Sequence, residues 1–319
     1  MSVLVYTESD QGVFKKTAFE VASYAKAVAD QLGTTVTAIA LNSGHATQLE
    51  NYGVSKILKV THSTLESFNA KIYASVIHQA AEKEGAKVVV VSSSVNSKYL
   101  APILAINLNA GYATNVLEAP SSASPFIVKR TAFTNKAFEM FQINTDVKLL
   151  GISKNSFGII ENKTSSTTEE FSVNIPDSGI QVDSVDKASN KVTIADAEIV
   201  VSAGRGLKGP ENWGMIEELA DVLGAATACS KPVSDLGWRP HSEHVGQTGK
   251  PVASNLHIAI GISGAIQHLA GINGSKVKVV INTDDEAPFF TAADYGVVGD
   301  AFTVVPELIE KLKVFKAQQ

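Results

Sequence analysis

Short apolar runs recur along the first part of the chain and predict β-strands. Residues 3–7, 35–41 and 57–60 are apolar or β-branched, and residues 88–91 are consecutive valines. A run of valines with no polar alternation is typical of a strand that is buried on both faces, as in the middle of a parallel sheet. These runs therefore predict the central strands of one sheet.

Helical spacing of apolar residues separates these runs. It covers 17–32 and 70–84, and a glycine follows each of these segments, as is common where a helix ends. A further helix is expected at 99–108, interrupted early by Pro102. Strands that alternate with helices predict a parallel sheet that is covered by helices and joined by right-handed crossovers.

The pattern changes between about residue 119 and residue 184. Short β-like pieces at 126–130 and 157–160 are separated by polar stretches, which include 164–170. We interpret this region as an antiparallel extension of the sheet that ends in a linker near 183–190. The charged residues there are most simply a solvated surface.

A second α/β unit follows the linker. Ile216, Leu219, Ala220 and Leu223 lie at i, i+3, i+4 and i+7, which gives one apolar helical stripe. Strands are predicted at 198–203, 256–260 and 278–281, and helices at 264–269 and 307–316. The predicted fold class is α/β with two domains: an N-terminal parallel-sheet domain with an antiparallel extension over 1–186, and a C-terminal Rossmann-like domain over 187–319.

Composition and charge narrow the class of protein. The 319 residues are 45% apolar and 18% charged, with a formal net charge of −5, which is ordinary for a globular protein and gives no basic footprint for nucleic acid. We expect no membrane insertion, because no run of about 18 apolar residues occurs. No signal peptide is apparent, and the lone Cys229 cannot form an intramolecular disulfide, so we expect an intracellular protein. A small buried filler is the simpler interpretation of Cys229 than a reactive thiol.

Two glycine-containing turns follow predicted strands. In 204–206 a Gly-Arg-Gly turn lets the backbone approach a ligand, and the forked donors of Arg205 suit phosphate or carboxylate. A plain turn with an exposed arginine fits equally well.

In 261–268 an apolar strand is followed by a Gly/Ser turn and the start of a helix, where free amides form an anion site. This is not the usual G-x-G-x-x-G motif, so it does not assign NAD. Ser263 is also suited to cap the helix, and Gln267 and His268 are also compatible with ordinary surface positions.

Three further features lie nearby. The polar loop 245–250 offers hydroxyl and amide donors but lacks the Walker A spacing, so nucleoside triphosphate hydrolysis is not supported. Asn282 ends a strand, at the edge of the sheet where ligands bind in open α/β folds. Asp300 is placed either to accept from a ribose hydroxyl or to cap a helix.

Serine-hydrolase and zinc-protease motifs and Cys/His metal spacings are absent from the sequence. So many candidate donors within about a hundred residues suggest one extended ligand with phosphates, ribose and rings.

These motifs resemble one known family. The run 261–271 together with Asn282 resembles the signature of the electron transfer flavoprotein alpha subunit, and 202–207, 245–250 and 287–290 match in the same order. The resemblance implies FAD in the C-terminal domain and a heterodimer with a beta subunit that holds AMP. It implies an electron carrier and not a turnover enzyme: electrons come from dehydrogenases such as those acting on acyl-CoA in fatty acid β-oxidation, and pass to a quinone oxidoreductase. A bacterial cytoplasm, or a mitochondrial matrix in a eukaryote, is the implied location.

The resemblance also implies which residues contact FAD. Thr248 is expected near flavin N5, and His268 near the N1/O2 edge. The family pattern has arginine where this chain has Lys231, which keeps the charge but loses the planar fork; a surface lysine is the alternative interpretation. The implied contacts are Arg205, Ser230, Lys231, Val245, Gly246, Gln247, Thr248, Ser263, Gly264, Ala265, Ile266, Gln267, His268, Asn282 and Asp300.

Two alternatives stay open. The same scaffold is suited to NAD(P) in a transhydrogenase-like enzyme subunit. The N-terminal unit alone suggests an adenine-nucleotide sensor.

Overall fold

The computed structural model describes residues 2–133, 135–177, 179–180, 182–185, 193–194 and 197–318. The chain divides into two compact units: one contains residues 1–133 and 137–185, and the other contains residues 134–136 and 186–319. The linker predicted near 183–190 lies outside the described residues beyond residue 185. Among the described residues, no helix has both the length and the apolar character needed to span a bilayer.

The N-terminal unit is built on a large, mostly parallel sheet. Its strands are β1 (Ser2–Thr7), β2 (Ser9–Asp10), β3 (Val13–Phe14), β4 (Thr35–Leu41), β5 (Lys56–Val60), β6 (Val88–Ser92), β7 (Gly111–Val116), β8 (Ser122–Ala123), β9 (Phe126–Ala132), β10 (Ala137–Ile143), β11 (Lys148–Ile152) and β12 (Thr167–Glu170), and its helices are α1 (Lys16–Gln31), α2 (Ala70–Glu84) and α3 (Val95–Asn107). The order across the sheet is β10-β9-β7-β11-β6-β1-β4-β5-β12, with β8 beside β9. Strands β2 and β3 form a separate antiparallel pair.

Both faces of the parallel region are covered, as the valine run at 88–91 predicts. Val88 and Val90 pack on the same side as α1, whereas Val89 and Val91 pack on the side of α2 and α3. Strands β9 and β10 pair antiparallel at one end of the sheet. The predicted parallel sheet with an antiparallel extension is confirmed, although β7 and β11 were not predicted.

Helix α3 begins earlier than predicted. The Ser94 side chain accepts a hydrogen bond from the backbone N–H of Ser97, so the helix begins at Val95 and not at residue 99. Pro102 lies inside the helix and does not interrupt it. The start was hidden because Val95 is exposed and the next three residues are polar, so none of them extends the apolar stripe.

The strand predicted at 157–160 is wrong. These residues have no strand pairing, because side chains of α1 occupy their backbone amides. Glu20 accepts from the N–H groups of Phe157 and Gly158 at 3.1 and 3.0 Å, and the Ser23 hydroxyl accepts from Ile160 at 3.0 Å. The segment is held against the helix by these bonds.

The polar stretch at 164–170, expected to be solvated surface, contains strand β12. It pairs parallel with β5 at the edge of the sheet. Glu169 makes ion pairs with Lys56 and Lys83, and Glu170 pairs with Lys59. Charged side chains are common on edge strands, where they discourage pairing with other chains.

The C-terminal unit is a second, fully parallel sheet. Its strands are β13 (Ile199–Ala203), β14 (Ala226–Cys229), β15 (Leu256–Ile260), β16 (Val277–Asn282) and β17 (Tyr295–Val298), and its helices are α4 (Gly214–Leu223), α5 (Lys231–Asp235), α6 (Ile266–Ile272), α7 (Phe289–Ala292) and α8 (Ala301–Ala317). The order is β14-β13-β15-β16-β17. Residues of α4 and α8 form a core on one face, and residues of α6 and α7 contribute to another. This is a doubly wound α/β sheet.

The helix ends of this unit differ from the prediction. Helix α6 begins at Ile266, two residues late, because Gly264 still belongs to the turn with φ +85°. Helix α8 begins at Ala301, six residues early, because the Asp300 side chain caps it by accepting from the N–H of Phe302. Pro306 lies in the first turns of α8, which obscured its start in the sequence. Strands β14 and β17 and helix α5 were not predicted.

Candidate functional site

A cavity of about 570 Å³ opens at the carboxyl ends of the C-terminal strands. After β13 the chain adds β14 on one side and then β15 on the other, so the direction of winding reverses beside β13. Ligands of doubly wound folds bind at such a reversal, and the volume lies within the usual range for small-molecule sites. The lining residues are Arg205, Gly206, Ser230, Lys231, Pro232, His244, Val245, Gly246, Gln247, Thr248, Gly261, Ile262, Ser263, Ala265, Gln267, His268, Asn282 and Asp284.

Glycines bring the loops after β13 and β15 into backbone contact. A Cβ on Gly204 would lie 2.2 Å from the Gly261 carbonyl oxygen, and one on Gly206 would lie 2.7 Å from the Gly261 Cα. The Gly206 N–H donates to the Gly261 carbonyl at 3.1 Å. Gly261 itself has φ +61°, a conformation that favours glycine. No side chain larger than hydrogen fits between these loops, so the wall of the cavity here is bare backbone.

The turn before α6 is equally constrained. A Cβ on Gly264 would lie 2.5 Å from the backbone nitrogen of Phe289, and that N–H donates to the Ser263 carbonyl at 3.0 Å. Ala265 occupies the cap position of α6 and gives it no side-chain cap. Ser263 is therefore not the cap, and its exposed side chain lines the cavity.

The polar loop 244–250 packs against α6. The Gln247 N–H donates to the Gln267 carbonyl at 2.7 Å, and a Cβ on Gly271 would lie 2.5 Å from the Gly246 Cα. The side chains of Gln247 and Thr248 are exposed at the cavity. Their amide and hydroxyl groups are thus presented to a ligand by a loop that is fixed from behind.

His268 is a buried imidazole in the cavity wall. Its Nδ1–H donates to the Val245 carbonyl at 3.1 Å, while Nε2 has no hydrogen-bond partner within the described residues. Burial lowers the pKa of His268 to about 4, against a smaller opposite effect of the Val245 bond. The ring is therefore neutral near pH 7, and Nε2 carries a lone pair with no proton.

Charged side chains at the cavity are mainly cationic. Arg205 and Lys231 are exposed in its lining, and neither has an ion-pair partner in the part of the chain that the structure describes. Asp284 is the carboxylate among the lining residues. Burial lowers the pKa of His244, so its ring adds little charge at neutral pH. Free cations beside exposed amides suit a phosphate-bearing ligand.

The Asn282 side chain makes hydrogen bonds to two loops at the cavity. Its Nδ2 donates to the Ile262 carbonyl at 3.1 Å, and its Oδ1 accepts from the Asp284 N–H at 3.2 Å. The carboxamide thereby ties the loop after β15 to the loop after β16. It retains one hydrogen and one lone pair for a ligand.

The structure brings together most of the residues that the resemblance implies. Each of them lines the cavity except Gly264, Ile266 and Asp300. Gly264 lies in the turn behind the wall, Ile266 is exposed, and Asp300 caps α8.

Other lining residues were missed by the sequence analysis. Gly206 and Gly261 lay inside the quoted motifs and were identifiable from their place after strands. His244 gave no signal of its own, although it directly precedes the sequence motif 245–250. The other missed residues are Pro232, Ile262 and Asp284.

Comparison with known proteins places both units in families. The model of the electron transfer flavoprotein domain matches residues 3–176, and that of the electron transfer flavoprotein FAD-binding domain matches residues 193–273. The chain is 37% identical to the electron transfer flavoprotein subunit alpha of Bacillus subtilis, over 84% of this chain and 83% of the relative. It is 33% identical to the subunit alpha of Pseudomonas aeruginosa, over 97% and 99% of the two chains. It is 36% identical to the mitochondrial subunit alpha of Dictyostelium discoideum, over 83% and 78%.

Proposed function

Since the chain belongs to the electron transfer flavoprotein family, as an alpha subunit, we propose that its C-terminal cavity holds FAD for the transfer of electrons between other proteins. FAD is the cofactor of the family domain that matches this unit, and electron carriage is the family's role. The observation that carries the assignment of the cavity is its position: a glycine-walled space at the reversal of the sheet, with free cations and a buried imidazole in its lining.

The residues present fit this cofactor. Gly204, Gly206 and Gly261 let the loops after β13 and β15 pack backbone against backbone, and Gly206 and Gly261 line the cavity without a side chain. Arg205 and Lys231, which have no ion-pair partner among the described residues, match the negative charge of the cofactor's diphosphate. The unpartnered Nε2 of His268 offers a hydrogen-bonding atom in a buried setting, where such atoms are normally satisfied.

In this proposal the diphosphate is held by Arg205, Lys231 and the backbone of the loops after β13 and β15. The exposed Gln247 and Thr248 provide polar contacts for the ring system, and Asn282 braces the loops around it. Gly264 contributes by permitting the turn, and Asp300 by fixing the start of α8.

His268 responds to charge in the cavity. Bound flavin supplies the capacity to take and release electrons one or two at a time. Electrons bring negative charge, and a nearby negative charge favours the protonated form of an imidazole. Because Nδ1 already donates to Val245, the added proton resides at Nε2. His268 thus offsets charge that would otherwise be buried without compensation.

The remaining parts of the proposal concern partners. The name of the subunit implies a beta subunit, and we place AMP in that partner. Acyl-CoA dehydrogenases are the proposed donors and a quinone oxidoreductase the proposed acceptor, with the complex in a bacterial cytoplasm or a mitochondrial matrix. The chain itself carries electrons and does not turn over a substrate.

A nucleotide-sensing role for the N-terminal unit finds no support in its geometry. At the carboxyl end of β1, Glu8 is almost fully buried, lies 2.5 Å from Lys15 and accepts from Asn96 at 3.2 Å. A buried carboxylate at this position repels a phosphate group. Glu8 lies at the reversal of winding in the N-terminal sheet, so a phosphate group is disfavoured there.

The test is reduction of the complex by a donor enzyme. The chain co-expressed with its beta subunit is mixed with an acyl-CoA dehydrogenase and its acyl-CoA, and flavin absorbance is followed by stopped flow. We expect bleaching that depends on all three components. Bleaching by NADPH alone, with no response to the dehydrogenase, would instead support the transhydrogenase-like alternative and contradict the carrier.

A further inference from the structure

A second imidazole lies behind the cavity wall and has no assigned role. His257 is the second residue of β15 and pairs with Val200 of β13 and Lys278 of β16, and its side chain is 0% exposed. Neither of its ring nitrogens has a hydrogen-bond partner within the described residues. Buried polar atoms are nearly always paired, so each exception calls for an explanation.

An apolar ring would fill this position at lower cost. His257 lies on the face of β15 that also carries Ala259, within a core of Val200, Val280 and Ile272. Both an N–H and a lone pair are buried there without compensation, which destabilises the folded chain. The presence of an imidazole is therefore not explained by packing.

The imidazole of His257 faces that of His268. The two ring centroids are 6.4 Å apart with an interplanar angle of 61°, an edge-to-face arrangement. The other ring beside His268 is Phe289, at 6.0 Å, which has no polar atoms. Of these two rings in contact with His268, His257 is the one whose polar atoms can respond to a charge on His268.

The other charged and titratable groups near this pair are few. Lys278 faces His257 from β16, but its Nζ donates to the Ser275 carbonyl at 3.1 Å and lies 3.9 Å from Asp294. His244 faces His268 from the loop 244–250. The Val245 carbonyl accepts from the Nδ1 of His268.

We propose that His257 is a positioning residue of the cofactor site, which orients the His268 ring and supplies the polar atoms that stabilise a second proton on it. The role rests on the proposed function, because a reduced cofactor brings the negative charge that draws this proton. The electron comes from the donor protein and the proton from solvent, so one electron entering the cavity is balanced by one proton at Nε2 of His268.

His257 does not take this proton itself. Complete burial, followed by repulsion from a charged His268, lowers the pKa of His257 to about 3. It stays neutral while His268 titrates. Its dipole and lone pair stabilise the protonated form of His268, whereas an apolar ring at this position would have neither.

The test compares three substitutions at residue 257 in the FAD-loaded heterodimer. His257→Phe keeps a ring but removes both nitrogens, His257→Asn returns a polar atom near Nδ1, and His257→Gln returns one near Nε2. Ile258→Val is the matched control, because Ile258 packs on the opposite face of β15, with α4 and α8. Each variant is checked for folding by circular dichroism.

The midpoint potentials of the bound flavin are measured between about pH 5 and pH 8. The titration of His268 is followed by ¹⁵N-imidazole NMR from about pH 3 to pH 8, a range that includes the pKa of about 4 that burial gives His268. We expect His257→Phe to weaken the proton affinity of His268 about tenfold, which is a shift of about one pH unit, and to flatten the pH dependence of the potential. Either His257→Asn or His257→Gln restores the behaviour and identifies the nitrogen that acts.

An unchanged His268 titration and unchanged potentials in folded His257→Phe would overturn the proposal, as would equal effects of all three substitutions. The NMR titration is also made on the heterodimer without FAD. If the wild-type pair takes up no FAD, the proposed function fails, whereas this cofactor-free titration still decides whether the two imidazoles are coupled.

Discussion

At the scale of single residues, the proposed function depends on the charge state of His268. The ring is neutral near pH 7, because the effect of burial on its pKa outweighs the favourable bond to Val245. A neutral imidazole costs less free energy to bury than a permanent cation. In the proposed function it takes up a proton when negative charge enters the cavity.

Removing this imidazole makes the bound flavin harder to reduce. His268→Ala takes away the group that compensates the incoming negative charge, so we expect the first reduction potential to fall by roughly 60 mV, a tenfold change in the equilibrium constant for one electron. Spectroelectrochemical titration of the heterodimer measures this. Unchanged potentials in a folded His268→Ala variant would remove His268 from the account.

The buried His257 also makes the fold sensitive to acid. Its pKa in the folded chain is about 3, below its usual value of 6.5, so between these limits the unfolded chain binds a proton that the folded chain does not. The free energy of unfolding therefore falls as pH falls from about 6.5, by roughly 1.4 kcal/mol for each pH unit in the limit of full protonation.

We expect His257→Phe to remove this part of the acid sensitivity. Urea unfolding of wild type and variant at neutral and mildly acidic pH checks the prediction, since the difference in stability should shift in favour of the variant as pH falls. A difference that does not change with pH would contradict the assigned burial of an uncharged imidazole.

At the scale of elements, the cavity depends on how closely two loops approach. Gly261 needs both a positive φ and the absence of a side chain, because a Cβ there would lie 2.9 Å from the Gly206 Cα. Gly224 also has a positive φ, +67°, at the end of α4, but a Cβ there would meet nothing within 4 Å. A substitution at Gly224 therefore strains only the backbone conformation, whereas one at Gly261 strains the conformation and also disrupts the contact between the two loops.

Gly261→Ala should therefore abolish FAD binding and lower stability by more than the conformation alone requires. Gly224→Ala should lose only about 1 kcal/mol, the cost of a left-handed non-glycine residue, and keep its cofactor. Denaturant unfolding and flavin fluorescence titration of the two heterodimers test this. Equal FAD affinity in both variants would show that the loop contact does not matter.

A buried carboxylate on α1, that of Glu20, holds the segment 155–158 against the helix. Both Glu20 oxygens accept from the backbone: Oε2 from Asn155 at 2.9 Å, and Oε1 from Phe157 and Gly158. Glu20→Gln replaces one accepting oxygen with a donor that faces another donor, so we expect a loss of about 1–3 kcal/mol. Thermal unfolding measures it against Glu66→Gln, an exposed control. Equal melting temperatures would contradict the role of Glu20.

These elements also show how far a sequence predicts the fold. Strands β1, β4 and β15 and helix α2 are recognisable because their own side chains carry the period of the element. The segment 157–160 has strand-like residues, but its amides are taken by Glu20, 137 residues away in the chain. Strand β12 is polar, and its pairing depends on lysines of other elements. Interactions over such distances leave no local pattern.

At the scale of the whole molecule, the two units differ in whether they carry the candidate cofactor site. The C-terminal unit carries the cavity, and the N-terminal unit has the ion pair of Glu8 and Lys15 at its own sheet reversal. Both units match domains of one family. The cavity was largely predictable from the sequence because its donors lie on short motifs after strands. His244 and the coupling of His257 to His268 were not, because they arise only when separate strands and loops are brought together.

The most direct test of the central claim is the visible absorption spectrum of this chain purified with its beta subunit, followed by identification of the released cofactor. We expect flavin absorption bands and an equimolar amount of FAD and this chain. The FAD should be retained in Gly224→Ala and lost in Gly261→Ala. A colourless complex that FAD cannot reconstitute would contradict the claim.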